Sequence, residues 1–416
     1  MNFFGIAFLC ALALATGARI WLARRHIRYI EAHRASVPAA FVNDISLDAH
    51  QKAADYSGVK ARFAILHGVV DSAVLLLLTV GGLLQLLSHW TAAWFASEIL
   101  RGAALITLFA VLASAIDLPF SWYRTFNIEA RFGFNRMTPR MWLSDLVKTA
   151  ALSAALGLPL VLAVLWLMSK MGQWWWLYVW LVWVGFSVFM LAVYPAYIAP
   201  LFNKFAPMPD SSLKTRVENL LGKCGFRASG LFVMDGSKRS SHGNAYFTGF
   251  GKTKRIVFFD TLISRLTEAE IEAVLAHELG HFKLRHVMRR MLWTFSVSLI
   301  LLALLGYLKD KAWFYEGLGV AYPASNAMAL LLFALIVPVF TFLLHPLVAM
   351  YSRKHEFEAD AYAARYSSAG ELVRALVKLY KDNASTLTPD PVHSAFYDSH
   401  PPASARIARL QSLGAS

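Results

Sequence analysis

The stretch AHELGHFKLRH, Ala276 to His286, holds the residue types of a metal site that splits water. His277 and His281 are four apart, so on a helix both rings leave one face a turn from each other. Two imidazoles on one face can bind a single Zn²⁺. Glu278 sits beside the first histidine, near the metal but outside its ligand set. There it can take a proton from the water that the metal activates. The motif alone is suggestive only, because a surface helix with two solvated histidines has the same spelling. A catalytic zinc also needs a third protein ligand, support behind the ligands and one open position.

The tail offers that ligand. SRKHEFEADAYAAR, Ser352 to Arg365, has no Pro or Gly and many Ala, so it reads as a helix. Glu356 and Asp360 then share a face, while Glu358 points elsewhere. Glu356 as third ligand, with Asp360 bonded to a zinc histidine, makes a carboxylate–histidine–zinc arrangement. The competing reading is a solvated acidic face. Membership of the same membrane side as the histidine pair favours the ligand reading.

Positioning these residues is the work of an apolar chain. Of its 416 residues 57% are hydrophobic and only 16% charged, with mean hydropathy +0.48. Ordinary globular domains carry about 25% charged residues. Seven runs are long enough for a bilayer, which takes about 20 residues each: Phe3–Leu22, Phe63–Leu87, Ile99–Phe120, Ala150–Met168, Trp174–Ile198, Met291–Leu308 and Ala327–Met350. The first has its basic cluster (Arg24, Arg25, Arg28) after it, the reverse of a cleaved signal, and reads as a retained span. The net charge of +14 belongs to loops held on the inner side rather than to nucleic-acid binding. Lys and Arg concentrate in alternate loops. That sets the N-terminus outside and both large polar segments, about 200–290 and 351–416, in the cytosol. QWWWLYVW, Gln173–Trp180, reads as an aromatic belt at the outer interface. His67, Asp71 and Asp117 lie within spans and hint at a wet interior. Cys10 and Cys224 form no framework.

Within the first polar segment, Gly230–Asp260 reads as strand material, with Gly249 and Gly251 at a turn. Thr267 and Glu270 spell a capping box, so the helix bearing the histidines starts there and runs straight into span six. Spans six and seven then form a hairpin that returns the chain to the side it left, which makes the site membrane-proximal.

With these segments in view, the chain resembles the CAAX prenyl protease family, integral-membrane zinc endopeptidases of the type I class. The resemblance is carried by IEARFGFNRMTPRMWLSDLVK (128–148), YIAPLFNKFAPM (197–208), DGSKRSSHGNAYFTGF (235–250), RIVFFDTLI (255–263), VLAHELGHFKLRH, SRKHEFEADAYA and SHPPASARI (399–407). It implies a mainly α polytopic membrane protein: seven transmembrane helices enclosing a water-filled chamber, closed by a cytosolic α+β zincin-like protease domain. The chain divides into 1–199 (helices one to five), 200–290 (first protease part), 291–350 (helices six and seven) and 351–416 (second protease part). One Zn²⁺ per chain would be held by His277, His281 and Glu356, with Glu278 as general base and Asp360 behind a zinc histidine. His400 and Arg406 would steady the substrate or the tetrahedral intermediate. Asn244, Ala245 and Tyr246 would lie on an edge strand that pairs with the substrate backbone. Glu358 falls at a variable position and is not expected to be a ligand. The partners implied are a peptide or protein substrate, lipidated or membrane-associated, and the bilayer. An Ala-rich composition without an organelle-retention tail suggests a bacterial inner membrane. Two other functions stand beside this one: the same chemistry used for membrane-protein quality control, and a non-enzymatic transporter or scaffold with a metal site.

Overall fold

The structure, a computed structural model, describes residues 2–226, 230–248 and 255–414. The expected turn at Gly249 and Gly251 lies outside the described residues. Among these, seven helices are long and apolar enough to cross a bilayer. The first five rods are α1 (Phe3–Ala32), α2 (Leu47–Leu78), α3 (Glu98–Tyr123), α4 (Pro139–Lys170) and α5 (Trp175–Val193). Most are longer than the apolar runs that announce them, because a helix does not stop where its sequence turns polar. Thus α2 begins at Leu47, capped by Ser46 Oγ accepting from Ala49 N at 3.3 Å. It also ends early. The run Phe63–Leu87 was expected to be one span, but the helix stops at Leu78, and Gly82 takes φ +75°. That left-handed step comes freely only to glycine, and it starts a separate short helix, Leu83–Ala92. In the aromatic stretch Trp174 is exposed and Trp175 buried. Trp176 packs on Gly306, where a Cβ would lie 2.8 Å from the indole.

The first polar segment folds as strand β1 (Phe205–Pro207), helix α6 (Ser212–Lys223), strands β2 (Gly230–Met234), β3 (Ala245–Thr248) and β4 (Arg255–Phe259), and helix α7 (Glu268–Lys283). The sheet order is β1-β2-β4-β3. β2 and β4 are parallel, and β1 and β3 flank them antiparallel. β3 is therefore an edge strand. Its register pairs Ala245 with Phe258 and Tyr246 with Val257. Helix α7 lies on this sheet through Ile271, Leu275 and Leu279.

Helix α8 (His286–Leu308) is the sixth span, and it is not a continuation of α7. Arg285 adopts φ 58°, in the left-handed region. The expected straight run from α7 into the membrane is therefore broken by a turn at Leu284–Arg285. The seventh span, α9 (Asn326–Thr341), leads through a 3-10 turn at Phe342–Leu344 into α10 (His345–Tyr366). Pro346 explains that turn: it has no N–H for the carbonyl of Phe342, so the ladder tightens there. The chain ends with α11 (Ala369–Asp382), α12 (Pro391–Tyr397) and α13 (Ala403–Gly414).

Polar contacts tie the ends of four spanning helices to this sheet-and-helix domain. Arg25 at the end of α1 meets Asp390 at 2.9 Å. His50 at the start of α2 donates from Nε2 to the His33 carbonyl at 2.9 Å, joining α2 to the end of α1. Tyr56 donates to Glu129, just past α3, at 2.7 Å, and Glu129 lies 3.7 Å from His242. Arg239 grips Asp145 of α4 through two hydrogen bonds of 2.9 and 3.0 Å. Alternate helix ends therefore gather on one side. Inside the bundle, His67 lies 3.1 Å from Asp117 and 3.6 Å from Asp71. His67 and Asp71 line a cavity of about 370 Å³ together with Arg19 and His345. Ionisable groups at this depth belong against water or polar protein rather than lipid tails.

Helices α7 and α10 approach closely at Gly280 of α7. A Cβ there would stand 3.0 Å from Ala359 Cα and 3.0 Å from Tyr362 Cβ of α10. The obstacle is backbone and cannot swing away. Gly280→Ala is expected to destabilise the protein despite the roughly 1 kcal/mol that alanine gains in a helix interior, because overpacking costs about 1–3 kcal/mol. Thermal unfolding of the purified protein checks this; an unchanged or raised midpoint would contradict the close contact.

Candidate metal centre

The capping box is formed as the residues suggest. Thr267 Oγ1 accepts from Glu270 N at 3.3 Å, and Glu270 Oε2 accepts from Thr267 N at 2.7 Å. This fixes the start of α7 and so the rotation of its histidine face. On that face His277 is buried and His281 partly so. The Gly280 contact presses the face onto α10, where Glu356 and Asp360 are buried to 5% and 0% exposure. The sequence separation of seventy-five residues and more is closed by the α8–α9 hairpin.

Three ligand atoms meet there. His277 Nε2 and His281 Nε2 are 3.2 Å apart. Glu356 offers Oε2 at 3.5 Å from His277 Nε2 and Oε1 at 3.3 Å from His281 Nε2. A tetrahedral ion with ligands at about 2.0–2.1 Å requires ligand–ligand edges of about 3.3–3.4 Å. The His–His spacing and the approach of one Glu356 oxygen to each histidine are of that size. Glu356 Oε2 is also buried without a hydrogen-bond partner among the described residues. A buried carboxylate oxygen without a partner is costly, and a cation between the three side chains would satisfy it.

Behind the ligands, His277 Nδ1 lies 2.9 Å from Asp360 Oδ1. That leaves Nε2 as the ligand nitrogen. Arg406 holds Asp360 from the other side, with Nη2 at 2.5 Å and Nε at 2.9 Å. Its Nη1 lies 3.6 Å from Glu356 Oε2. Arg406 is itself 5% exposed. Two of its nitrogens are thus committed to Asp360, a tighter tie to the carboxylate than its expected role beside the substrate. Burial alone would lower the His277 pKa, but Asp360 and Glu356 more than reverse that and raise it to about 9. The cluster is built to hold positive charge.

A cleft of about 120 Å³ opens beside these residues, lined by Asn244, Ala245, Glu278, His277, His400 and Arg406. Burial raises the Glu278 carboxyl above its ordinary value. His400 stands at the mouth, 60% exposed, with Nε2 at 3.4 Å from Glu356 Oε1. Arg353 braces the turn before it by donating to the Asp398 carbonyl at 2.9 Å. Asn244 Oδ1 accepts from Ala245 N at 2.8 Å, and its carbonyl accepts from Phe259 N. Of the three edge-strand candidates, Asn244 and Ala245 line the cleft, whereas Tyr246 packs edge-to-face on Phe259. Sequence reasoning passed over His286 and gave Glu358 no part. They sit behind His281, with His286 Nδ1 at 3.0 Å from His281 Nδ1 and His286 Nε2 at 2.9 Å from Glu358 Oε2. The one signal for them was a third histidine five residues past His281.

In metal-free protein the His277 proton contributes stability. The raised pKa makes that contribution full below about 6.5, the unfolded value, and lost as pH climbs through about 9. Metal-loaded protein has no such proton to lose. The gap in thermal stability between loaded and metal-free protein should therefore widen from pH 6.5 to 9. A gap that stays constant or narrows would show that His277 carries no such proton.

Known proteins resemble this chain along most of its length. Residues 26–204 match the family described as CAAX prenyl protease N-terminal, five membrane helices, and residues 207–413 match Peptidase family M48. CAAX prenyl protease 1 homolog of Arabidopsis thaliana is 37% identical, with 90% of each chain covered. CAAX prenyl protease 1 of Saccharomyces cerevisiae is 32% identical, covering 92% of this chain and 90% of the relative. The crystal structure of S. mikatae Ste24p superposes with TM-score 0.93 at 28% identity over 99% of both chains. These relatives are eukaryotic and lend no support to a bacterial source. The chain belongs to the CAAX prenyl protease 1 family, and it is a membrane-embedded zinc metalloprotease of the M48 type.

Proposed function

We propose that this protease binds one Zn²⁺ through His277, His281 and Glu356 and cuts peptides carrying an apolar or lipidated part at the cytosolic membrane face. The observation that carries this is the convergence of the two histidine Nε2 atoms, 3.2 Å apart, on the Glu356 carboxylate, with one oxygen at 3.3 Å from His281 and the other at 3.5 Å from His277, open on the side where Glu278 lines the cleft. Zinc held there supplies Lewis acidity to the attacking water and to the scissile carbonyl. Glu278 accepts the proton of that water and delivers it to the leaving amine. Its half-buried position, which raises its proton affinity, suits a group that must first take a proton and then release it. His400, exposed at the mouth, donates to the oxyanion as it develops. Arg406 adds positive charge through Nη1 while its other nitrogens keep Asp360 on His277.

Among the described residues no strand pairs with the outer edge of β3, which can receive an extended substrate strand by main-chain hydrogen bonds, with Asn244 and Ala245 at the cleft. The division at residues 199, 290 and 350 follows from this: two polar parts, separated by a hairpin through the bilayer, complete one site. The charge bias of the loops supports an outer N-terminus and a cytosolic site in an integral, multi-pass protein; the bacterial inner membrane rests on composition alone. The names of the relatives, CAAX prenyl proteases, favour a prenylated C-terminal peptide as substrate. The cavity between α1, α2 and the start of α10 combines its ionisable residues with apolar ones at Ile20, Ile65 and Phe342, against which a lipid chain can lie.

Glu278→Gln is expected to slow hydrolysis of a farnesylated peptide by about 10²–10⁴-fold while zinc stays at one per chain. The same peptide without its lipid should show a raised KM in the wild-type enzyme. Wild-type turnover by the Gln variant would sink the assigned base, and equal KM values would sink the lipid preference.

A further inference from the structure

A second group of metal-ligating side chains lies behind the first: His286, His355 and Glu358. Its geometry argues against a second metal. The His286 and His355 rings are stacked, 4.0 Å apart and 8° from parallel. Lone pairs of stacked rings run side by side and do not converge on one ion. Both nitrogens of His286 are also engaged. Nδ1 faces His281 Nδ1 at 3.0 Å, and Nε2 faces Glu358 Oε2 at 2.9 Å.

The proton positions in this chain are determined by the metal centre. His281 turns Nε2 toward the other ligands, so its proton resides on Nδ1. That N–H must donate, and the atom facing it is His286 Nδ1. An acceptor at Nδ1 puts the His286 proton on Nε2, where Glu358 accepts it. Any metal taken up by His286 Nε2 would reverse the tautomer and set two N–H groups against each other at 3.0 Å. The two uses of His286 exclude each other.

We propose that His286 and Glu358 are positioning residues: a carboxylate–histidine relay that locks the tautomer and ring orientation of His281 for zinc, as Asp360 does directly for His277. The inference rests on His281 being a ligand. It gives each zinc histidine a carboxylate, one in contact and one through an extra imidazole. His286 is buried to 3% exposure, and His355 stacked on its face keeps the ring from turning. Tyr351 packs edge-on against His355. Glu358 is one-third exposed, with Lys354 Nζ at 4.0 Å as its other polar neighbour. The Leu284–Arg285 break makes the relay possible, since an unbroken helix would carry position 286 five residues past 281, on another face.

The test is zinc affinity, read by competition with a chromophoric chelator on the full-length protein, without any activity assay. His286→Phe keeps the stack on His355 and removes the acceptor; affinity should fall about 10–100-fold. His286→Asn restores an acceptor near the Nδ1 position and should recover most of that loss. Glu358→Gln, at a partly exposed side chain that leaves the fold undisturbed, should cost several-fold and keeps the test decisive if the Phe variant does not fold. Cobalt-substituted protein should show shifted d–d bands in His286→Phe and restored bands in His286→Asn. Unchanged affinity in Glu358→Gln and His286→Phe would overturn the relay, as would equal weakening by Phe and Asn. A wild-type chain that binds no zinc would overturn the three-ligand site and the relay together, so the two failures are distinguishable.

Discussion

Two carboxylates one helical turn apart, Glu356 and Asp360, are buried almost completely. No interior accepts such a pair without matching positive charge and hydrogen bonds. Much of the site's construction follows from that constraint. Arg406 comes from the last helix to grip Asp360. His277 and His281 come from α7 to face Glu356. What remains without a hydrogen bond is one oxygen of Glu356, and that oxygen faces His277 Nε2. Metal binding is thus the completion of a charge balance that the fold leaves open.

The constraint also explains why the domain is split in the chain. The histidines must arrive on one helix and the carboxylates on another, pressed together along a long contact. Gly280 permits that approach because any Cβ would meet the Ala359 backbone. Between them the chain crosses and recrosses the apolar layer as α8 and α9, so the site is anchored at the bundle end by covalent structure. Ion pairs from Arg25 and Arg239 to Asp390 and Asp145 fasten α1 and α4 to the same domain. Catalytic geometry and membrane architecture are therefore one structural problem.

Supporting groups on the two histidines differ in kind. Asp360 is inaccessible and locked by Arg406, whereas Glu358 is partly exposed and acts through a second ring. Glu356 of α10 meets His281 at Nε2, and the Nδ1 side of that ring faces His286 rather than a carboxylate. His286 links that side to Glu358.

Much of this was legible in the residues. The 3.6-residue period put His277 with His281 and Glu356 with Asp360, since local spacing determines which side chains share a helix face. Hydropathy located seven spans, since about 20 apolar residues in a row have few other stable places. The capping box located the start of α7. Composition could not locate the true helix ends: α2 begins well before its apolar run and stops at Leu78, ahead of the left-handed step at Gly82. Nor could periodicity foresee the left-handed step at Arg285. That step re-aims His286 from another face onto His281, and it turned a residue with no expected role into the neighbour of a ligand. The sequence by itself determined which groups could bind a metal and that they lie near a bilayer, because those follow from residue type and spacing. Only the tertiary structure decided their partners, because His281 with His286 and Arg406 with Asp360 meet, and Asn244 comes to line one cleft with Glu278, through helix packing and chain reversals that no local spacing encodes.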